Sequence, residues 1–288
     1  MGARGERGVE PAMTEEGNDM QRGYERGWVE LVHAPELPWE PAHGENWPVG
    51  AEVKVLSRDE SSGALTGIVR LPEGYRRGAG HHEGATEYLV LSGGLRVGRA
   101  LRGRGYYGYS PSGTNQEPWV SDEGAELLFM ARDSTPDFVP KPGIVREDAG
   151  QIQLDTARIP WMITPVEGPP PGICVKLLRH VEETGELAAL IANVPQFDYP
   201  KLEFHDCIEE IFCVSGDIWL GNAGAMRPGS YLWRPPYITH GPFYSEHGSV
   251  LFLWVDETLV NHFVDDPRSS REENRRRAQA ERDSAEGA

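Results

Sequence analysis

Shifted by 122 positions, the chain lies on itself. PWEPAHGENWPVGAEVKVLSRDESSGAL, from Pro38, aligns with PWMITPVEGPPPGICVKLLRHVEETGEL, from Pro160. Matches fall at Pro38/Pro160, Trp39/Trp161, Pro48/Pro170, Gly50/Gly172, Lys54/Lys176, Leu56/Leu178 and Gly63/Gly185. At a shift of 123, EYLVLSGGLRVG from Glu87 meets EIFCVSGDIWLG from Glu210; at 124, Pro118 and Gly124 meet Pro242 and Gly248. A run of Trp, Pro and Gly identities in nearly one register means two tandem copies of one fold, over roughly 28–145 and 150–264. So long a period marks duplicated domains and not a short-period solenoid.

Each copy reads as all-β. VKVLSRD, ALTGIVRL and ELLFMAR in the first, and VKLLRHV, LAALIANV and SVLFLWVDE in the second, are short apolar or alternating runs separated by turn residues. With 34 Gly and 23 Pro, the punctuation suits many short strands in a sandwich or barrel. LSGG and VSGD read as tight hairpin turns. The expected organisation is a disordered tail over 1–27, barrels over 28–148 and 149–265, and a charged tail over 266–288. Both tails are too polar to bury a face.

A net charge of −17 opposes binding to nucleic-acid phosphates or anionic membranes. No apolar run is long enough for a bilayer, and the N-terminus carries no signal-peptide pattern. Three cysteines, Cys174, Cys207 and Cys213, are not a disulfide framework, and a cytoplasmic location is expected.

The chemistry gathers in FHDCIEEIFCVSGD, Phe204 to Asp217, and PGSYLWRPPYITHGPF, Pro228 to Phe243. In an extended segment, side chains alternate faces. Glu203, His205, Cys207 and Glu209 then share one face, and Glu210, Phe212 and Val214 the other. The two cysteines read as small buried hydrophobes. Trp219, Trp233, Trp254, Tyr231, Phe243 and Tyr244 read as barrel core or as walls of an apolar cavity.

A His, a Glu four or five residues on and an apolar run ending in Gly resemble the first cupin motif. The Pro-Gly turn, strand, Pro pair and His resemble the second. Over about 28–264 the chain resembles a bicupin, two double-stranded β-helix (jelly-roll) barrels in tandem. It is similar to the branch of anti-sigma-factor cupin domains and acetylacetone-cleaving dioxygenase. The resemblance implies one divalent metal per chain, Fe(II) first and Zn, Mn or Ni otherwise, on His205, Glu209 and His240. Two His and one carboxylate leave coordination positions open, as in non-haem Fe(II) oxygenases, and also suit catalytic zinc. Glu203 stands where the family has a further His, so it is a fourth oxygen ligand or an outer base. In the first copy Gly80, His82, Thr86 and Gln116 take the places of Glu203, His205, Glu209 and His240. That is a degenerate site, with His81 and Glu87 as an alternative pair.

The implied function is a metal-dependent dioxygenase that oxidises or cleaves a small oxygenated compound such as a β-diketone, hydroxyketone or phenolic. Glu203 or Glu210 would serve as base, and Arg234 would pair with a substrate oxygen or an acidic side chain. The alternatives are an O₂-independent isomerase, lyase or hydrolase, or a non-enzymatic metal or small-molecule sensor. The expected partners are a small-molecule substrate and a second copy in a homodimer, with no nucleic acid and no membrane.

Overall fold

The structure is a computed structural model. It describes residues 26–42, 50–143, 150–163 and 171–264, with Glu272, Arg275, Arg276, Gln279, Ala280 and Asp283 of the tail. Most of both expected tails, and Pro48 and Pro170 of the repeat, lie outside the described residues. Among the described residues, no helix is long and apolar enough to cross a membrane.

The fold is all-β, as the turn-rich alternation implies, and it repeats. In the first half a seven-stranded antiparallel sheet runs Ile152–Asp155, Tyr106–Ser110, Thr86–Gly93, Ala125–Ala131, Leu65–Leu71, Glu52–Arg58, Glu40–Pro41. In the second the order is Val29–His33, Ser230–Arg234, Glu209–Gly216, Ser249–Val255, Leu187–Asn193, Ile173–His180, Met162–Ile163. From the second strand on, the second list is the first moved along the chain by the spacings of the repeat; the leading strands are interchanged. Each half adds a four-stranded sheet and a two-stranded ladder.

The outermost strand of each large sheet comes from across the expected boundary. Val29–His33, which opens the first copy, pairs with Ser230–Arg234 of the second. Ile152–Asp155, which opens the second copy, pairs with Tyr106–Ser110 of the first. The halves thus exchange edge strands, so a cut at 148/149 would strip one strand from each sheet.

Neither expected hairpin forms: Thr86–Gly93 and Leu95–Val97 lie in different sheets, as do Glu209–Gly216 and Ile218–Leu220, so LSGG and VSGD carry the chain from the large sheet to the small one. Gly93 and Gly216 end their strands at φ of +72° and +77°. A Cβ there would stand 2.2 and 1.9 Å from the carbonyl oxygens of Gly124 and Gly248. The left-handed backbone and the close approach both require glycine.

The central strands of the large sheets are buried on both faces, which sorts their side chains into two layers. Along 249–255, Leu251, Leu253 and Val255 point into the second barrel, while Phe252 and Trp254 join a core shared with the other half. Along 125–131, Leu127 and Phe129 fill the first barrel, while Leu128 and Met130 join the same shared core.

That sorting separates the two adjacent acids of the EE pair. Glu209 turns into the barrel. Glu210 turns into the junction, where it is 1% exposed. Its carboxylate accepts hydrogen bonds from Thr66, Arg132 and Tyr231, the last at 2.7 Å, and lies 3.6 Å from Arg26. Its repeat mate Glu87 is held likewise by Tyr107 at 3.0 Å, Arg132 at 3.3 Å and Arg179 at 2.6 Å. Glu210 is therefore not at the site and is no base for it. Glu87 is not paired with His81, whose ring bonds instead to the Lys141 carbonyl. Arg26, which the sequence places in a solvated tail, is buried in this network.

Candidate metal centre

The second barrel brings Glu203, His205, Glu209, Arg234 and His240 together. Three local features do so. Backbone bonds join Glu203 and His240 in both directions, Glu203 N to His240 O at 3.0 Å and the reverse at 2.9 Å. Tyr237, in the left-handed region at φ +67°, donates its N–H to the His205 carbonyl at 2.8 Å. Glu209 and Arg234 face each other in register on neighbouring strands, and Arg234 Nη1 donates to Glu209 Oε2 at 3.0 Å.

The imidazoles are oriented from behind. His205 Nδ1 lies 3.2 Å from the Val260 carbonyl, and His240 Nδ1 lies 2.9 Å from that of Ile238. A carbonyl only accepts, so each Nδ1 carries the proton and each Nε2 presents a lone pair to the site. Those lone pairs meet only oxygens. His205 Nε2 is 3.6 Å from Glu209 Oε1; His240 Nε2 is 3.7 Å from Glu209 Oε2 and 3.9 Å from Glu203 Oε1. Glu203 Oε2 is buried without a hydrogen-bond partner. Imidazole lone pairs and carboxyl oxygens that converge in a dry place without a hydrogen bond between them suit a cation. One donor atom each from Glu203, His205 and His240 lies within 4.8 Å of the others. A metal at about 2.1 Å from each donor would hold them at most about 4.2 Å apart, so a small side-chain movement closes the set.

Electrostatics agree. Burial pushes the Glu203 carboxyl up to about 8, with ionised Glu209 adding to the push and Arg234 opposing it. Burial also works against ionised Glu209, but His240, His205 and Arg234 outweigh it and bring that group down to about 2. Burial lowers His240 to about 4 against the pull of Glu209, so its imidazole is neutral at physiological pH.

Not all of the sequence expectations gather here. Among the six aromatic residues singled out, Phe243 makes the ring contact with the site, 5.7 Å edge-on to His240. Tyr231, Trp233 and Trp254 belong to the shared core instead. Cys207 and Cys213 sit in the apolar barrel core, where burial raises both thiols, Cys213 to about 12. A cavity of about 180 Å³ touches the site through Arg234 and His240, and Trp28 and Glu30 are also in its lining. Glu30 belongs to the exchanged strand, so the first copy contributes to a wall beside the second copy's site.

The first barrel shows what takes the place of a cation. Gly80 and Gln116 form the same two-way backbone bridge as Glu203 and His240. His82 Nδ1 again faces a carbonyl, that of Asp137, at 3.1 Å. Into this pocket comes a guanidinium. Arg77 Nη1 lies 3.4 Å from His82 Nε2, and Nη2 donates to Gln116 Oε1 at 3.0 Å. The group stacks between Trp119 and Phe138, 4.0 Å from each ring centre. Gln116 Nε2 in turn donates to Thr86 at 3.2 Å. The lone pair of His82 and the oxygen of Gln116 are thus satisfied by the chain's own cation. Burial, helped by Arg77, lowers His82 to about 3. At the place of Arg77 on the matching strand, the second barrel has Tyr199. Sequence reasoning marks the first site as degenerate but does not find Arg77; the signal is an arginine five residues before the retained histidine.

Solved structures share the fold. A candidate dioxygenase from Nostoc punctiforme PCC 73102 superposes with a TM-score of 0.74 at 20% identity, over 85% of this chain and 88% of that one. Protein Ylba from E. coli, of family-model DUF861, matches with 0.56 at 16%, over 78% and 89%. Oxalate decarboxylase from Bacillus subtilis, in a single-substitution variant, matches with 0.52 at 16%, over 81% and 79%. The all-β architecture is therefore that of jelly-roll cupin barrels. No curated protein matches the chain. The family model described as "Domain of unknown function (DUF4437)" matches residues 30–262, nearly the whole described fold, and the chain belongs to that family.

Proposed function

We propose that the second barrel holds one divalent metal ion and that the protein is a metal-dependent enzyme, a mononuclear non-haem Fe(II) dioxygenase acting on a small oxygenated organic compound. The observation that carries the reading is the convergence itself: two imidazole Nε2 atoms and two carboxyl groups meet at 3.6 to 3.9 Å, and among the described residues the hydrogen bond within the set is that of Arg234 to Glu209. His205, His240 and Glu203 would hold the ion, with Glu209 as a further oxygen donor. When bound, such a metal supplies Lewis-acid polarisation of substrate oxygens and, if it is iron, one-electron chemistry with O₂. The chain's own groups set the stage. Val260 and Ile238 fix the imidazoles, Arg234 anchors Glu209, and Phe243 keeps water from one side of His240.

The second carboxylate supports an O₂-independent reading beside the first, because hard oxygen donors suit Mn(II). The Bacillus subtilis oxalate decarboxylase, which has the same fold, carries Mn(II) centres. Elemental analysis of protein purified without oxygen, followed by O₂-uptake assays with β-diketones, hydroxyketones and phenolics, decides between them. Bound iron with substrate-dependent uptake supports the dioxygenase; bound manganese or zinc without uptake supports the alternative.

Metal binding is expected to strengthen with pH. Below about pH 8 the metal-free site carries a proton on Glu203 that loading must displace, whereas Glu209 is ionised and His240 neutral from about pH 4 upward. Affinity should rise by at least about tenfold per pH unit below that value and level off above it, with the Glu203 proton released on binding. Calorimetry in buffers of different ionisation heat counts that proton. Affinity flat across this range would remove Glu203 from the ligand set.

A further inference from the structure

A cavity of about 620 Å³ lies away from the metal groups, between the halves. Its volume is that of a typical small-molecule site, and such sites favour junctions of this kind. Its walls carry Trp39, Trp161, Lys54 and Lys176, with Leu89 and Phe212 behind them. Those four polar and aromatic residues are two of the repeat's identities. The metal-binding groups survive in one copy, whereas the Trp–Lys pair survives in both. Whatever the pair does therefore does not depend on the metal.

Part of its work is structural. Lys54 Nζ donates to the Ala34 carbonyl at 2.8 Å, and Lys176 Nζ donates to that of Thr156 at 2.8 Å. Ala34 and Thr156 are themselves repeat mates, and each follows an exchanged strand. Each ammonium also stands over an indole, 4.9 Å from Trp39 and 4.5 Å from Trp161. Neutral carbonyls and rings leave the charge uncompensated. Both lysines are 8% exposed, and among the described residues neither ammonium has a carboxylate within ion-pair distance. Glu126, an acid on the wall, is already held by Arg70 at 3.0 Å. Buried charge without a counter-charge is costly, and here two such charges face one cavity, joined by Arg104, in a chain of net charge −17.

We propose that this cavity is a second ligand site, for an organic anion with an aromatic or aliphatic body. The anionic group would lie between the ammonium groups, and the body would lie against Leu89, Phe212 and the indoles. The site is independent of the metal reading and stands or falls separately.

The test uses the full chain and 8-anilinonaphthalene-1-sulfonate as probe. Saturable binding is expected, equal in metal-loaded and chelator-treated protein, with displacement by octanoate and not by octanamide. Lys54→Met and Lys176→Met should each weaken it at least about tenfold, the scale for losing a buried charge partner. Leu89→Trp, which fills the cavity and keeps every charge, should also abolish it. This holds the test open if a lysine variant fails to fold. Absence of saturable binding, displacement by octanamide as strong as by octanoate, or full affinity in folded Leu89→Trp protein would each overturn the proposal.

Discussion

His240→Ala protein is expected to fold normally and to lose its metal. The backbone bonds that tie residue 240 to residue 203 use main-chain atoms, so alanine keeps them. What goes is Nε2, which faces both Glu203 and Glu209. Loss of an outer partner of a metal ligand typically costs about 10–100-fold in affinity, and loss of a ligand itself should cost more. Elemental analysis of wild type and variant, purified side by side without oxygen, reads the effect. A variant with full metal content would show that the cation, if any, sits elsewhere.

The second large effect is on stability. Glu210→Ala is expected to destabilise the chain by about 3–5 kcal/mol, the range for breaking a buried ion pair from one side. The substitution leaves Arg132 with Glu87 alone and strands Arg26, while Tyr231 and Thr66 lose their acceptor. Burial disfavours ionised Glu210, yet Arg132 and Arg26 outweigh it and lower its pKa. A lowered carboxyl contributes stability above the ordinary carboxylate range and loses it as pH falls through the lowered value. The gap between wild type and variant should therefore narrow in acid. Urea denaturation at neutral and acid pH measures both. A difference under about 1 kcal/mol at neutral pH would mean that the junction does not depend on this charge. Metal content per folded molecule should stay that of wild type, because Glu210 is on the far face of its strand from the site.

Duplication, all-β class and the grouping of Glu203, His205 and Glu209 are legible in the chain, and His240 joins them through the resemblance of its segment to the second cupin motif. Each rests on a local signal: identities in register, turn residues at short spacing, and alternation over 203–209, where the structure places two strands, Leu202–Phe204 and Glu209–Gly216, joined by a bend at 206–207. Alternation also puts Glu210 on the opposite face, but it cannot say what lies there. A strand buried on both faces reads as one apolar run, and the second face is covered by the other copy, about 120 residues away. The same limit hides the exchanged strands, since an edge strand's pattern fixes which side faces inward and not which sheet it joins. The polarity of its neighbours places Arg26 in the tail, although a single buried arginine needs no apolar neighbours when Glu210 awaits it. Arg77 is hidden because a substitute for a metal leaves no motif; only the bonds to His82 and Gln116 reveal it.

The central claim is an asymmetry: a cation in the second barrel, a guanidinium in the first. Titration of metal-free wild-type protein with a first-row divalent ion, followed by calorimetry and elemental analysis, tests it most directly. The account predicts saturation at about one equivalent per chain, since a mononuclear site of this donor type takes one ion. Two equivalents would mean that Arg77 does not occupy the first pocket as described. None would mean that the buried carboxylates and imidazoles of the second serve some purpose other than holding metal.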